Sequence, residues 1–392
     1  MSKLEELIQQ YCPDGVEWKT LGEVCDIHKG VQFNKTDMKE VGTYPVINGG
    51  INPSGYAEMF NEGKNTITIS QGGASAGYVN FLRNKFWLGA HCYAVIPYDT
   101  VLNKYLYHFI KMNEITLQQC QYGAGIPALA KSTISSLEIP VPPLPVQEEI
   151  VRILDAFTEL QAELQAELQK RKQQYNYYLD NLLSFNRGEQ TEVKWMKLKD
   201  VATQWYRGAG IKREEVSEDG MPCIRYGEIH TTYNIWFDDC ISHTDESKQV
   251  SRKYAEKGDI LFAITSEDIP LVGNSVAYLG SERILVGGDI VVMKHNQDPK
   301  YMAYALSTSD AIKQKGKGKV KSKVVHTNVP SLQEIVIPIP SMTEQKRIAS
   351  ILDRFDSLTN DLAAGLPAEI EKRRQQYEYY RDKLLTFKRK EA

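Results

Sequence analysis

Residues 170–185, KRKQQYNYYLDNLLSF, return near the other end of the chain as KRRQQYEYYRDKLLTF, 372–387, with 11 identities. A duplication of this kind constrains the fold more than any composition, because both copies must adopt one plan. The rest of the chain repeats too. WKTLGEV (18–24) aligns with WMKLKDV (195–201), placing Trp18 on Trp195, Leu21 on Leu198 and Val24 on Val201. YPVINGG (44–50) falls on MPCIRYG (221–227), and FWLGAHCYAV (86–95) falls on ILVGGDIVVM (284–293). IPVPPLPVQEEIVRILDAF (139–157) falls on IPIPSMTEQKRIASILDRF (337–355).

Each copy therefore holds a variable globular segment, a P-x-P punctuation and a long polar-apolar segment. Boundaries are expected at 1–140 and 188–340 for the heads, with helices over 141–187 and 341–392. The heads read as α+β. NTITIS, HCYAVIPY, DILFAIT and DIVVMK are short strand-like runs, whereas NKYLYHFIKMN and PKYMAYALSTSD have helical spacing. Proline forbids helix at the P-x-P, so the long helices start after it. Ile150, Leu154 and Phe157 open one apolar stripe, and Ile348, Leu352 and Phe355 open the other. The stripes continue through Leu160, Leu164 and Leu168, and through Leu358, Leu362, Leu366 and Ile370. Pro367 should kink or break the second helix. A helix of about 40 residues is roughly 60 Å long, too long to bury its stripe in a small head. The other helix, carrying the same stripe, is the expected partner.

Composition adds exclusions. The net charge is -3, so any nucleic-acid surface must be local. The N-terminus has no signal-peptide pattern, no apolar run is long enough to span a membrane, and a cytoplasmic location is expected. The six cysteines form no CxxC pair and read as buried free thiols rather than a metal site. GGASAGY (72–78) lacks the Lys-Ser/Thr of a phosphate-binding loop, and no GxSxG or HExxH occurs. NPSG (52–55) lacks the second proline and aromatic of an amino-methyltransferase motif. His91 and His326, isolated in sequence, read as core or loop residues. Two similar heads without an active site suit a ligand that offers two separated sites, as DNA does.

The order of segments resembles the specificity subunits of type I restriction–modification enzymes. The resemblance rests on CPDGVEWKTLGEV (12–24), the duplicated IPVPPLPVQEEIVRILD (139–155), the paired helix ends and the tandem Leu-Gln-Ala-Glu at 160–167. It implies two target recognition domains joined by two long antiparallel helices in a coiled coil, each head reading half of a split double-stranded DNA sequence. It also implies one copy per complex, with two methylation and two restriction subunits as partners. S-adenosylmethionine, ATP and Mg would belong to those partners, leaving this chain non-catalytic. Two alternatives stay open: a two-headed structural or carbohydrate-binding module, and the specificity subunit of a modification system without type I restriction.

Candidate DNA contacts in head one are Asn48, Tyr56, Gln71, Ser75 and Tyr78, from polar Gly-rich loops. In head two they are Arg225, Tyr226, His230, Ser266 and Asn274. Asn and Gln can bond an adenine edge, and Arg225 is the best candidate for guanine. KQKGKGKVKSK (313–323) reads as a flexible basic loop whose Lys315, Lys317, Lys319, Lys321 and Lys323 would track phosphates; a merely solvated loop is the plainer alternative. The matching segment of head one, 118–129, has no lysine. Tyr175, Tyr178, Tyr377 and Tyr380 beside KRK and KRR are candidate anchors for partner docking, or parts of solvated helix faces.

The tandem tetrapeptide generates a test. One further Leu-Gln-Ala-Glu after Glu167 adds about 6 Å of helix and keeps the leucine spacing. Mapping of methylated bases in cells should show both half-sites unchanged and the unread spacer longer by a single base pair. An unchanged spacer with full activity would mean that this helix does not set the distance.

Overall fold

The computed structural model describes residues 2–123, 125–185, 193–267, 271–316, 319–321, 324–360 and 365–391. The chain divides into two compact units, Met1–Leu164 with Ile370–Ala392, and Gln165–Glu369. Each head is thus combined with the start of its own long helix and with the helix end that belongs, in sequence, to the other copy.

Both heads are built on one sheet plan. In the first unit a four-stranded antiparallel sheet runs in the order Cys25–Lys29, Cys92–Pro97, Thr66–Ser70, Val79–Leu82. In the second, Ala202–Arg207, Ile290–His295, Ile260–Ala263 and Ser275–Tyr278 repeat that order, and Trp236–Phe237 extends it by a parallel strand. The run ILFA at Ile260–Ala263 is buried at every position. Successive side chains of a strand point to opposite faces. Ile260 and Phe262 accordingly join the cluster with Tyr301 and Leu352, while Leu261 and Ala263 join a second cluster with Ile224 and Ile284. A sheet covered on both faces explains why this strand reads as a continuous apolar run rather than an alternating one.

The first proline of each P-x-P, Pro140 and Pro338, lies in a strand. Glu138–Val141 pairs antiparallel with Glu17–Thr20, setting Trp18 opposite Pro140; Val336–Ile339 pairs with Lys194–Lys197, setting Trp195 opposite Pro338. Proline is tolerated because each ribbon has only two strands, leaving an edge where the missing N–H costs nothing. The prolines' carbonyls are used: Tyr105 Oη donates to Pro140 O at 2.9 Å and Tyr301 Oη to Pro338 O at 2.8 Å.

A buried glutamine then locks each helix start to its head. Gln147 accepts from the Leu102 N–H at 2.8 Å and donates to Pro142 O at 2.7 Å. Gln345 accepts from the Asp298 N–H at 3.0 Å and donates to Pro340 O at 2.9 Å. The first long helix is continuous over Leu144–Leu182. The second copy carries helices Met342–Asn360 and Leu366–Leu384, with Pro367 in the first turn of the latter, where its missing N–H is tolerated. Leu362 lies outside the described residues.

Ile150, Leu154, Ile348 and Leu352 are fully buried and Phe157 and Phe355 partly so, while Leu160, Leu164 and Leu168 are half-buried. Leu358 does not continue the stripe. It is 39% exposed, and Thr359 is buried in its place, its hydroxyl donating to Phe355 O at 2.9 Å. The buried line 348, 352, 355, 359 passes one residue beyond Leu358. Five cysteines are buried and Cys120 is exposed, which corrects the expectation that all six are buried.

In the first unit the two helix segments run in opposite directions. Ile153 lines a cavity with Leu384 and Phe387, and Phe157, further along, stacks on Tyr380 with centroids 5.4 Å apart. His108, fully buried, ties the head to both segments: one ring nitrogen is 3.0 Å from Asp155 and the other 3.0 Å from Tyr377 Oη. In the second unit Tyr304 takes this place, donating to Asp353 at 2.7 Å, while the buried Tyr175 hydroxyl has no hydrogen-bond partner among the described residues. Lys104 and Lys300 complete the two clusters, on Asp155 at 3.1 Å and Asp353 at 2.7 Å.

His108→Ala should strand Tyr377 and leave a cavity, lowering stability by about 2–4 kcal/mol. Tyr304→Phe removes a single hydroxyl and should cost about 1–2 kcal/mol. Denaturant titration of the two variants compares them, and equal small losses would show that His108 is not the joint of its unit.

Candidate nucleic-acid interface

At one end of each head, loops from distant parts of the sequence are stitched by the same backbone hydrogen bonds. Gly30 N–H donates to Cys92 O at 3.1 Å and Gly208 N–H to Ile290 O at 2.9 Å. Gly89 N–H donates to Ile47 O at 2.8 Å and Gly287 N–H to Ile224 O at 2.9 Å. Gln71 N–H reaches His91 O at 2.9 Å and Ile264 N–H reaches Asp289 O at 3.0 Å. Leu129 N–H reaches Gln71 O at 2.7 Å and Thr327 N–H reaches Ile264 O at 3.0 Å. Glycine is required where the chains come closest. A Cβ on Gly30 would stand 2.3 Å from Leu88 O, and one on Gly208 would stand 2.2 Å from Gly287 O.

The side chains on this shared frame differ. Asn48 of the first head occupies the place of Arg225, His91 that of Asp289, and Gln71 that of Ile264. A rigid frame holds the geometry constant while the hydrogen-bonding groups on its rim change.

In the first head Asn48 and Gln71 meet at His91: the Asn48 carboxamide oxygen accepts from His91 N–H at 3.2 Å, and Gln71 bonds the His91 carbonyl through its backbone. Ser75 and Tyr78 lie on the next turn, where Tyr78 N–H donates to Ser75 O at 2.9 Å. The Tyr78 ring carries the Lys111 ammonium at 4.7 Å, and burial pushes its phenol pKa up. Tyr56 stands apart, on strand Gly55–Ala57 of a separate three-stranded sheet.

In the second head a cleft of about 540 Å³ gathers Tyr226, His230, Ser266 and His326. His230 Nε2 donates to Thr265 O at 3.0 Å, and His326 Nδ1 lies 3.2 Å from Thr265 Oγ1. Arg225 and Tyr226 border an adjoining groove of about 280 Å³. Ser266 is buried at the cleft, 4% exposed. Asn274 is engaged in the scaffold: its amide donates to Ile229 O at 3.0 Å and its oxygen accepts from Ser275 N–H at 3.1 Å. His326 was not a candidate in the sequence reading, since nothing local marks a histidine that reaches the cleft only by strand pairing.

The basic run is not one flexible loop. Ser309–Lys315 is helical, and strands Lys319–Lys321 and Val324–His326 form a hairpin that pairs with Thr265–Ser266 beside the cleft. Lys319 and Lys321 lie on that hairpin, and Lys317 and Lys323 lie outside the described residues. Lys315 is not a phosphate contact. It is 5% exposed, its ammonium donates to Ser275 Oγ at 3.0 Å, and burial pulls its pKa down to about 7.

The four tyrosines proposed for docking divide as well. Tyr175 and Tyr377 are each 8% exposed inside their own units and cannot anchor a partner. Tyr178 and Tyr380 are each 36% exposed and stack on Phe355 and Phe157 at 5.0 and 5.4 Å. Their neighbours Tyr177 and Tyr379, missed in the sequence, are 66% and 63% exposed and meet them edge-on. The repeated QQYxYY gave no signal separating the inward tyrosine from the outward one.

The family described as type I restriction modification DNA specificity domain matches residues 13–171 and again 190–372. The EcoR124I/EcoR124II type I restriction enzyme specificity subunit of Escherichia coli is 30% identical, over all of this chain and 98% of that protein. The crystal structure of a type I restriction-modification S subunit from M. genitalium superposes with a TM-score of 0.60 at 20% identity, covering 95% of this chain and 96% of that one. A chain from a study of complex assembly and conformational transition in the type I R–M system gives the same TM-score of 0.60 at 15% identity, covering 95% and 98%.

Lys315 supplies a test with a definite sign. A lysine whose pKa falls from 10.5 to about 7 on burial opposes folding increasingly as pH drops through that interval. Lys315→Met, similar in volume and uncharged, should therefore be more stable than the parent at pH 7, with the advantage shrinking as pH rises and gone only above pH 10.5. The salt dependence of DNA binding should not change. A salt slope lowered by about one unit would restore Lys315 as a phosphate contact.

Proposed function

Because the chain belongs to the type I restriction modification DNA specificity family, carrying that domain twice, we propose that it is the DNA-reading subunit of such a system, each head recognising one half of a split sequence. The observation that carries this reading is the backbone frame present in both heads with different side chains on its rim. The frame fixes how a duplex is approached, and Asn48 against Arg225, or Gln71 against Ile264, alters what is read.

The same chain is proposed to organise its partners. An outward tyrosine set edge-on to a second tyrosine stacked on phenylalanine occurs once per unit, as Tyr177–Tyr178 on Phe355 and Tyr379–Tyr380 on Phe157. Two equivalent aromatic surfaces suit two copies of one partner, the methylation subunit. Restriction subunits would join through that assembly. S-adenosylmethionine, ATP and Mg are assigned to the partners and catalysis with them, in the cytoplasm. Among the described residues no helix is long and apolar enough to cross a membrane.

Replacing residues 18–137 with the head of another family member should change one half of the methylated sequence and leave the other half and the spacer intact. Sequencing of methylated DNA from cells checks this. A simultaneous change in both halves would contradict independent heads.

A further inference from the structure

A contact common to two heads that read different sequences has to touch what the two half-sites share, and that is the phosphate backbone. One basic position meets this condition. The backbone bonds of Gly30 and Gly208 fix equivalent points in the two heads. Five residues beyond each, a 3₁₀ turn opens on a basic side chain: Lys35 in Lys35–Asp37 and Arg213 in Arg213–Glu215. Both are exposed. The surrounding loops have diverged, yet this charge is kept.

Among the described residues no acid of either turn forms an ion pair with its basic side chain: Glu214 is exposed and makes none with Arg213, and Asp37 and Glu215 are held elsewhere. Asp37 is held by Asn34 Nδ2 and Thr36 Oγ1, each at 3.3 Å. Glu215 accepts from Lys212 N–H at 2.9 Å and Gln249 Nε2 at 3.3 Å. Among the described residues neither Lys35 nor Arg213 has a carboxylate partner. Arg213 also shares its groove with Arg225 and Tyr226, which places it beside the residues proposed to read the second half-site.

We propose that Lys35 and Arg213 are equivalent phosphate contacts, one per head, that seat each head on the duplex without regard to sequence. This rests on the DNA-reading function above and adds a division of labour: the turn residues position, and the rim residues discriminate.

The test uses the assembled methylation complex with Lys35→Gln, Arg213→Gln and the double variant. Binding is measured on DNA with the intact split sequence and on DNA with one half altered, across a fourfold range of salt. Each single variant should weaken binding to both DNAs by the same factor. Each should also lose roughly threefold less affinity than the parent across that range, a salt slope lowered by about one unit, with the effects adding in the double variant. The methylated sequence should not change. An unaltered salt slope would overturn the proposal, and so would a base preference relaxed at one position by Arg213→Gln, which would make Arg213 a base reader. If the parent complex fails to distinguish the two DNAs, the DNA-reading function falls, and that result is separate from the behaviour of the variants.

Discussion

Neither unit is closed by its own sequence repeat. The first head and its helix start are completed by Tyr377 and Leu385 from the chain's far end, and the second by Tyr175, Leu179 and Leu183 from the central helix. The exchange follows from length. A helix of 39 residues carries more apolar surface than one head can cover, so its first half packs at home and its second half packs elsewhere. The division between units falls within the tandem tetrapeptide, between Leu164 and Gln165. Matching the helix ends between copies therefore matters for folding before it matters for any partner.

That closure explains the inward and outward tyrosines. In QQYxYY the first tyrosine is buried against its unit's aspartate cluster, the last stacks on the helix phenylalanine, and the middle one is left outside. The two clusters are related but unequal. His108 bonds both Asp155 and Tyr377, whereas among the described residues Tyr304 bonds Asp353 alone. One fold plan tolerates the difference because Gln147 and Gln345 fix the helix starts independently.

Much of this was legible in the sequence. The repeat, the α+β heads and the helix starts after P-x-P follow from identity, period and proline geometry. What was not legible depended on tertiary neighbours. Lys315 sits in a Gly- and Lys-rich run that reads as solvated, yet its stem packs near Gly273 and its ammonium lies over the Phe262 ring, 6.0 Å from the centroid. Leu358 and Thr359 both fit a helical period, and only the packed partner decides which is buried. The clefts bring together residues from opposite ends of a head, and no local pattern marks His326 or Arg213.

The central claim is that one frame, used twice, carries two separate readers. Mapping methylated bases across a genome in cells with and without this chain, alongside its methylation partners, tests it most directly. The account predicts a single motif of two short specified blocks separated by a fixed unspecified gap, present only with the chain. A contiguous motif, or a motif that persists without the chain, would contradict it.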